Sequence, residues 1–341
     1  MDESSGDSRH FQLASDLLTV RILNGMWQVS GAHGAIDPAA AVERMLAHHD
    51  AGLTTWDLAD HYGPAEDFIG TFRQRLAASR GADALADMQA FTKWVPRPGP
   101  MMRSAVEAAI ARSLRRMGVE AIDLLQFHWW DYDDERYLDA LDELQHLRAE
   151  GRIRHLALTN FDTTHLETIT RHGIRIVSNQ VQYSLVDRRP EARMVRFCGD
   201  HEIGLLCYGT LCGGLLSERF LGQPEPGWSV LDTASLQKYK QMIDAWGGWA
   251  LFLQLLSVLK GVADKHGASI ANVAVRAILD RPAVAGVIVG ARLGLSDHLD
   301  DNLRVFSLEL DPDDRERIDG VLAGAHDLFR IIGDCGDEYR R

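Results

Sequence analysis

The chain has 341 residues, of which 46% are apolar and 25% charged, with a formal net charge of −13. That apolar share supplies a sizeable core, and the acidic surplus argues against nucleic acid or an anionic membrane surface as a partner. Cys198, Cys207, Cys212 and Cys335 have no Cys-x-x-Cys spacing and read as reduced, mostly buried thiols. Residues 1–10 are polar, lack the apolar core of a signal peptide, and predict a disordered tail ahead of one domain over 11–341. The most apolar run, 249–259, falls short of the roughly 20 residues a bilayer span needs. Together these features predict a cytoplasmic protein with no membrane partner.

Taken in order, 21–29 reads as a strand, preceded by a weaker extended piece near 11–20. Asp37-Pro38 opens a helix to His49, with Asp37 as N-cap and Pro38 at the first helical position. Strand 54–59 and helix 65–77 follow, then strand 88–94 and helix 101–117, closed by Gly118. The pattern repeats with strand 122–130, helix 134–149, and strands 154–159, 177–183 and 204–209. A long segment, 210–246, carries Gly213-Gly214 and a Pro-rich patch at 224–226 and offers no clear element. Helices at 248–266 and 270–279, a strand at 284–289 and a helix at 312–322 complete the chain.

Eight strand-then-helix units without a composition break predict a parallel α/β sheet. The strands are apolar throughout, as parallel strands covered on both faces are. A closed (β/α)8 TIM barrel as a single domain accommodates this pattern, since it typically takes about 250 residues plus insertions. A doubly wound open sheet is the alternative, but no Gly-x-Gly-x-x-Gly follows the first strand.

Barrel chemistry sits at the C-terminal ends of strands. Asp57, Lys93 and His128 end strands two, three and four, and Tyr62 lies on the loop after strand two. A phenol alone has a pKa near 10 and is a feeble acid at neutral pH. An ammonium about 4 Å away pulls it down by roughly 4 kcal/mol at an effective dielectric of 20, against desolvation. Asp57 would keep Lys93 charged, and His128 would hydrogen-bond the substrate oxygen. Such a set can donate a proton to a carbonyl oxygen as it becomes an alkoxide.

Asp57-Leu-Ala-Asp-His-Tyr62-Gly, Thr92-Lys93-Trp94 and Asp123-Leu-Leu-Gln-Phe-His128-Trp129 resemble the Asp, Tyr, Lys, His tetrad of the aldo-keto reductases. The resemblance extends over about residues 20–310. It implies a (β/α)8 barrel, without metal, that reduces an aldehyde or ketone with a nicotinamide cofactor. Thr159-Asn160-Phe161 and Asn179-Gln180 resemble family segments after strands five and six, implying that Thr159, Asn160 and Gln180 hold the carboxamide. By the same resemblance Tyr208 stacks on the nicotinamide, and Gly209, Leu211 and Gly213 approach the pyrophosphate. Gly290-Ala291-Arg292, His298, Asp301 and Asn302 resemble the adenosine-phosphate segment. They depart from its commoner Lys-Ser or Ser-Ser pair, and Arg292 favours NADPH over NAD.

Trp27, Trp94, Trp129 and Trp130 stand next to these strand ends and suggest an aromatic or apolar carbonyl substrate, or a sugar ring stacked on an indole. Strand one carries Met26-Trp27-Gln28-Val29 in place of the His-x-His a metal-dependent barrel hydrolase would want. Because relatives of this resemblance also serve as β-subunits of potassium channels, a non-enzymatic regulatory subunit is the alternative function.

Overall fold

The computed structural model describes residues 9–30, 36–291, 293 and 298–340. Strands β1 (His10–Ala14) and β2 (Leu17–Val20) form an antiparallel hairpin. Most of the expected disordered tail lies outside the described residues, but its last residue pairs in that hairpin: His10 stands opposite Val20.

Eight parallel strands close a barrel: β3 (Ile22–Gly25), β4 (Thr55–Asp57), β5 (Gln89–Trp94), β6 (Ile122–Phe127), β7 (Ile153–Thr159), β8 (Ser178–Gln182), β9 (Gly204–Tyr208) and β10 (Val284–Gly290). The closing pair is β10 with β3, through Val287 opposite Ile22 and Gly290 opposite Gly25. The outer ring carries α1 (Pro38–Asp50), α2 (Ala65–Arg80), α3 (Arg103–Met117), α4 (Tyr137–Ala149), α5 (Thr163–Arg171) and α6 (Met194–Asp200). After β9 come α7 (Ala234–Trp246), α8 (Gly248–His266) and α9 (Ile270–Leu279). After β10 come α10 (Leu299–Arg304), α11 (Pro312–Leu322) and α12 (Leu328–Ile332). The closed barrel decides against the open sheet.

Two apolar layers follow. The larger packs the helices against the outside of the barrel, and the smaller fills its inside with Leu23, Phe91, Leu124, Ala157, Val177, Leu206 and Ala285. Leu13 and Leu17 of the hairpin join the inner layer, so β1–β2 closes the N-terminal mouth. A Cβ on Gly204 would come within 2.5 Å of Leu13, which is why the strand begins with glycine there.

The structure shortens several expected strands at their C-terminal ends. β3 stops at Gly25 and Trp27–Ser30 forms a 3-10 turn; β6 stops at Phe127, one residue before His128. At this rim the chain leaves the ladder to turn outward, so its polar groups serve the site instead. The 210–246 segment holds an unanticipated helix, α7, capped by Thr233. It meets α8 at a 98° bend, where Gly247 (φ 155°) and Gly248 (φ 80°) turn the chain. Among the described residues no single helix is long and apolar enough to cross a membrane.

Candidate active site

The floor of the C-terminal mouth is a buried polar cluster. Lys93 Nζ donates to Asp57 Oδ1 at 2.8 Å, Asp57 Oδ2 at 2.7 Å and the Leu58 carbonyl at 2.9 Å. Those bonds use all three ammonium protons. Asp57 also accepts from Gln126 Nε2 (2.9 Å) and Gln180 Nε2 (2.6 Å), and Gln180 Nε2 donates to Gln126 Oε1 (2.7 Å). Burial pushes the Lys93 ammonium below its usual range, and Asp57 opposes that. Gln126 joins this cluster, although no motif in the sequence marks it.

Tyr62 sits above that floor. The Lys93 ammonium lies over its ring, 5.1 Å from the centroid. Its hydrogen bonds go elsewhere, so it acts on the phenol through the ring face. Burial first, then the negative charge of Asp57, raise the Tyr62 pKa well above the usual phenol value. This reverses the expected downward shift: burial outweighs the ammonium, whose bonds are spent on Asp57, and the charge of Asp57 adds to the rise. The loop carrying Tyr62 is held from below by Arg116, which donates to the carbonyls of Asp60 and Gly63 and to Glu66 Oε2. Glu66 is itself fully buried and accepts from Thr92 Oγ1 at 2.8 Å.

His128 Nδ1 lies 3.0 Å from the Thr159 carbonyl, which can only accept, so Nδ1 carries a hydrogen. Burial, with Arg340 contributing, pushes the imidazole down to about 4. A neutral ring protonated at Nδ1 leaves Nε2 as an acceptor. It can receive a hydrogen bond from a hydroxyl, whereas the expected bond to a carbonyl oxygen needs a protonated Nε2.

The remaining expected residues divide into groups. Tyr208 OH donates to Asn160 Oδ1 at 2.8 Å, and Thr159 Oγ1 to the Gln180 carbonyl at 3.3 Å. Asn160 has φ 58°, so the turn after β7 places a left-handed residue beside Tyr208. Gly209 and Gly213 have φ near 70°, and a Cβ on Gly209 would collide with the Tyr239 hydroxyl of α7. Gly214 N–H is spent on the carbonyl of Leu211, and the N–H groups of Cys212 and Leu216 likewise stay within this turn. Gly290, His298 and Asn302 line a pocket together with Asn24, His48 and Arg44. Arg44, from α1, is a cationic lining residue that sequence reasoning missed. Asp301 turns away from it, its side chain accepting from Ser269 Oγ at the start of α9. Arg292 lies outside the described residues.

Two of the four tryptophans are corrected. Trp94 and Trp129 are buried in the outer apolar layer beside Phe127, at centroid distances of 5.6 and 5.9 Å. The other two flank the mouth. Trp27 meets Tyr62 edge-on at 4.9 Å and Trp130 meets His128 edge-on at 4.4 Å, and both are exposed. Among the described residues, three carboxylates lie within metal-ligand reach of one another: Asp311, Asp313 and Asp314. They open α11, away from the strand ends, and Lys265 and His266 already engage Asp314.

The parallel barrel with this rim defines the class, and comparison with known proteins defines the family. The aldo/keto reductase family model matches residues 21–323. The chain therefore belongs to the aldo/keto reductase family, whose members generally carry out NAD(P)H-dependent carbonyl reduction. It is 29% identical to flagellar radial spoke protein 5 of Chlamydomonas reinhardtii over 65% of this chain and 49% of that protein. Thus it spans about half the length of that relative. It is 28% identical to aldo-keto reductase YhdN of Bacillus subtilis, over 80% of this chain and 81% of that one. Among solved structures, a glycerol dehydrogenase from Gluconobacter oxydans matches with a TM-score of 0.77 and 25% identity, covering 93% of this chain and 95% of that one.

Proposed function

We propose that this protein reduces an aldehyde or ketone to an alcohol, or runs the reverse oxidation, with Tyr62 as the general acid and base. The observation that carries this is the joint placement of Asp57, Lys93, Tyr62 and His128 at one barrel mouth, with the first two locked together. A bound nicotinamide cofactor would supply the hydride. Like any phenol, Tyr62 keeps its proton at neutral pH, and its raised pKa holds that proton more firmly, which suits the acid of the reducing direction; the base of the reverse direction is its phenolate. The phenol yields that proton only to a group as basic as a forming alkoxide, so transfer is confined to the moment of reduction. In the oxidising direction His128 Nε2 is placed to accept from the alcohol hydroxyl. Trp27 and Trp130 would wall the substrate ring.

The cofactor would lie from Tyr208 and Asn160, across the 209–214 turn, to the pocket lined by Gly290, His298, Asn302 and Arg44. The adenosine end fits: a pocket with an arginine and a histidine in its lining suits a phosphate-bearing nucleotide. Solved relatives from Klebsiella pneumoniae were crystallised with NADPH and with NADP. One Escherichia coli relative, in contrast, is an NADH-specific methylglyoxal reductase. We favour NADPH, with Arg292 meeting the 2′-phosphate and Arg44 beside it. Replacing Arg292 with Ala should then erase a preference of roughly tenfold to a hundredfold while leaving the NADH dissociation constant nearly unchanged. An unchanged ratio of the NADPH and NADH constants would reject this assignment.

The test of the reaction itself is NADPH consumption with a panel of aldehydes and ketones, for the wild type and Tyr62→Phe. Cofactor fluorescence would be titrated on the same preparations. Loss of cofactor binding in Tyr62→Phe would mean that Tyr62 holds the cofactor or the fold instead of the proton.

A further inference from the structure

Four side chains from three distant parts of the sequence form one hydrogen-bonded run beside the barrel mouth. Lys238 Nζ of α7 donates to Tyr339 OH; Tyr339 OH lies 3.0 Å from Tyr208 OH, and Tyr208 OH lies 2.8 Å from Asn160 Oδ1. Only one placement of the protons satisfies every member. An ammonium can only donate, so the Tyr339 oxygen accepts from Lys238. Tyr339 then has its own proton to give, and the Tyr208 oxygen is the acceptor beside it. Tyr208 in turn passes its proton to Asn160, which requires the oxygen and not the amino group of that amide to face it. The charge at one end of the run thus sets the orientation of the amide at the other.

Both ends are held in place. The Lys238 ammonium stands among three rings, 4.4 Å from the Tyr339 centroid, 5.4 Å from Tyr208 and 5.5 Å from Tyr239. Tyr339 is carried by residues 334–340, which a buried network anchors. Arg189, fully buried, donates to Asp187, to the Asp334 carbonyl at 3.0 Å and to Glu338 Oε2 at 2.9 Å. Gly336 (φ 89°) then passes so close that a Cβ there would collide with the Asn160 carbonyl. At the far end, the Asn160 amide nitrogen of the backbone donates to the Gln180 carbonyl at 2.8 Å and the residue has φ 58°. With the backbone fixed on both sides, the turn of the side-chain amide is what the run decides.

Once Oδ1 is committed to Tyr208, Nδ2 is the free half of the Asn160 amide; among the described residues it has no hydrogen-bond partner. It can only donate. Of the two ends of a nicotinamide carboxamide, only the oxygen can receive such a proton. We propose that Lys238 and Tyr339 are positioning residues that act through Tyr208 to present Asn160 as a hydrogen-bond donor to the carboxamide oxygen of the cofactor. This rests on the cofactor reading given above and brings the carboxyl-terminal segment into it. The run then serves the nicotinamide end of the cofactor and leaves the adenosine end untouched.

The test compares NADPH with 2′-phospho-ADP-ribose, which is the same molecule without the nicotinamide. Dissociation constants for both are measured by calorimetry on the full chain and on Tyr339→Phe, Lys238→Met, Asn160→Gly and the Asn160→Gly/Tyr339→Phe pair. Tyr339→Phe keeps the ring beside Lys238 and removes only the hydroxyl. It should weaken NADPH by about fivefold to tenfold, the worth of one hydrogen bond, and leave the fragment within about twofold. Lys238→Met should weaken NADPH selectively too, by about twofold or more, because the phenols lose the charge that directs them. Glycine tolerates the left-handed turn at position 160, so Asn160→Gly removes the amide while keeping the backbone. In that chain Tyr339→Phe should cost nothing further.

An unchanged NADPH constant in Tyr339→Phe would overturn the proposal. So would an equal loss for both ligands, which would assign the run to the fold or to the adenosine end. An additive loss in the double variant would likewise show that Tyr339 does not act through Asn160. A wild type that holds NADPH no more tightly than the fragment would instead refute the nicotinamide site itself, and the proposal with it. Should Tyr339→Phe lose its melting transition, Lys238→Met decides by the same comparison of the two ligands.

Discussion

The floor of the barrel mouth and the carboxyl-terminal segment, residues 334–340, are both built from charged and aromatic groups, but they are arranged in opposite ways. On the floor every charge is spent. Asp57 takes Lys93, Gln126 and Gln180, and Lys93 has no proton left over. In residues 334–340 the anchoring end is equally closed, because Arg189 donates to the Asp334 carbonyl and Glu338, yet Arg340 Nε and Nη1 have no hydrogen-bond partner. The contrast is between a closed network, which holds geometry, and a segment whose tip keeps donors without partners.

The sharpest way to break this contrast is to open the floor. Lys93→Met strands Asp57 in a buried site, and the loss should be about 3–5 kcal/mol of stability, together with most of the activity. Denaturant unfolding measures the first. Adding Asp57→Asn to the same chain should restore much of the stability and none of the turnover. A Lys93→Met chain as stable as the wild type would show that Gln126 and Gln180 alone satisfy the carboxylate.

Next comes the phenol. Tyr62→Phe should lower kcat by about 10²–10⁴, since general acid catalysis is worth that much, with the folded state little affected. Measured in single turnovers with cofactor bound, the loss should appear in the chemical step.

His128 gives a smaller effect that depends on pH. Its folded pKa, about 4, lies below the ordinary value near 6.5, so the unfolded chain binds the proton more readily. The stability this provides is complete above about pH 6.5 and is lost as the pH falls through 6.5 towards 4. The shift corresponds to about 3 kcal/mol at most. Urea midpoints at pH 7, 5.5 and 4 should therefore decline, and His128→Gln should flatten the decline over that window. Removing the nearby Arg340 charge should move the folded pKa upward and narrow the window.

Smallest of all is Arg44→Met, which should weaken NADPH binding by about fivefold, the worth of one hydrogen bond near 1 kcal/mol at a half-exposed site. No change would place the nucleotide away from α1.

Much of this was legible in the sequence because a barrel converts spacing into convergence. Asp57, Lys93 and His128 recur one strand-helix unit apart, and their strands end together. The tryptophans show where that logic was applied too loosely. Side chains alternate across a strand, so if Lys93 faces inward its neighbour Trp94 faces the helices. The same alternation puts Phe127 and Trp129 in the outer layer while His128 faces the mouth. Gln126 follows the alternation too, but a glutamine inside Leu-Leu-Gln-Phe carries no chemical signal by itself. The tail was invisible for a different reason. Asp-Cys-Gly-Asp-Glu-Tyr-Arg has neither helical nor strand periodicity, and its partners, Arg189, Asn160 and Lys238, are distant in sequence and scattered over three segments. The direction of the Tyr62 shift was likewise beyond spacing alone. It is set first by burial of the phenol and then by the charge of Asp57.

The hairpin that plugs the N-terminal mouth has a practical side. Residue 9 leaves the barrel at that closed end, whereas residue 340 rests on Trp129 at the open one. Anything attached ahead of the hairpin hangs from the side where no chemistry occurs. Anything attached behind Arg340 emerges at the doorway a substrate must use. An affinity handle placed at the carboxyl end should therefore raise KM for bulky substrates, and the same handle at the amino end should not.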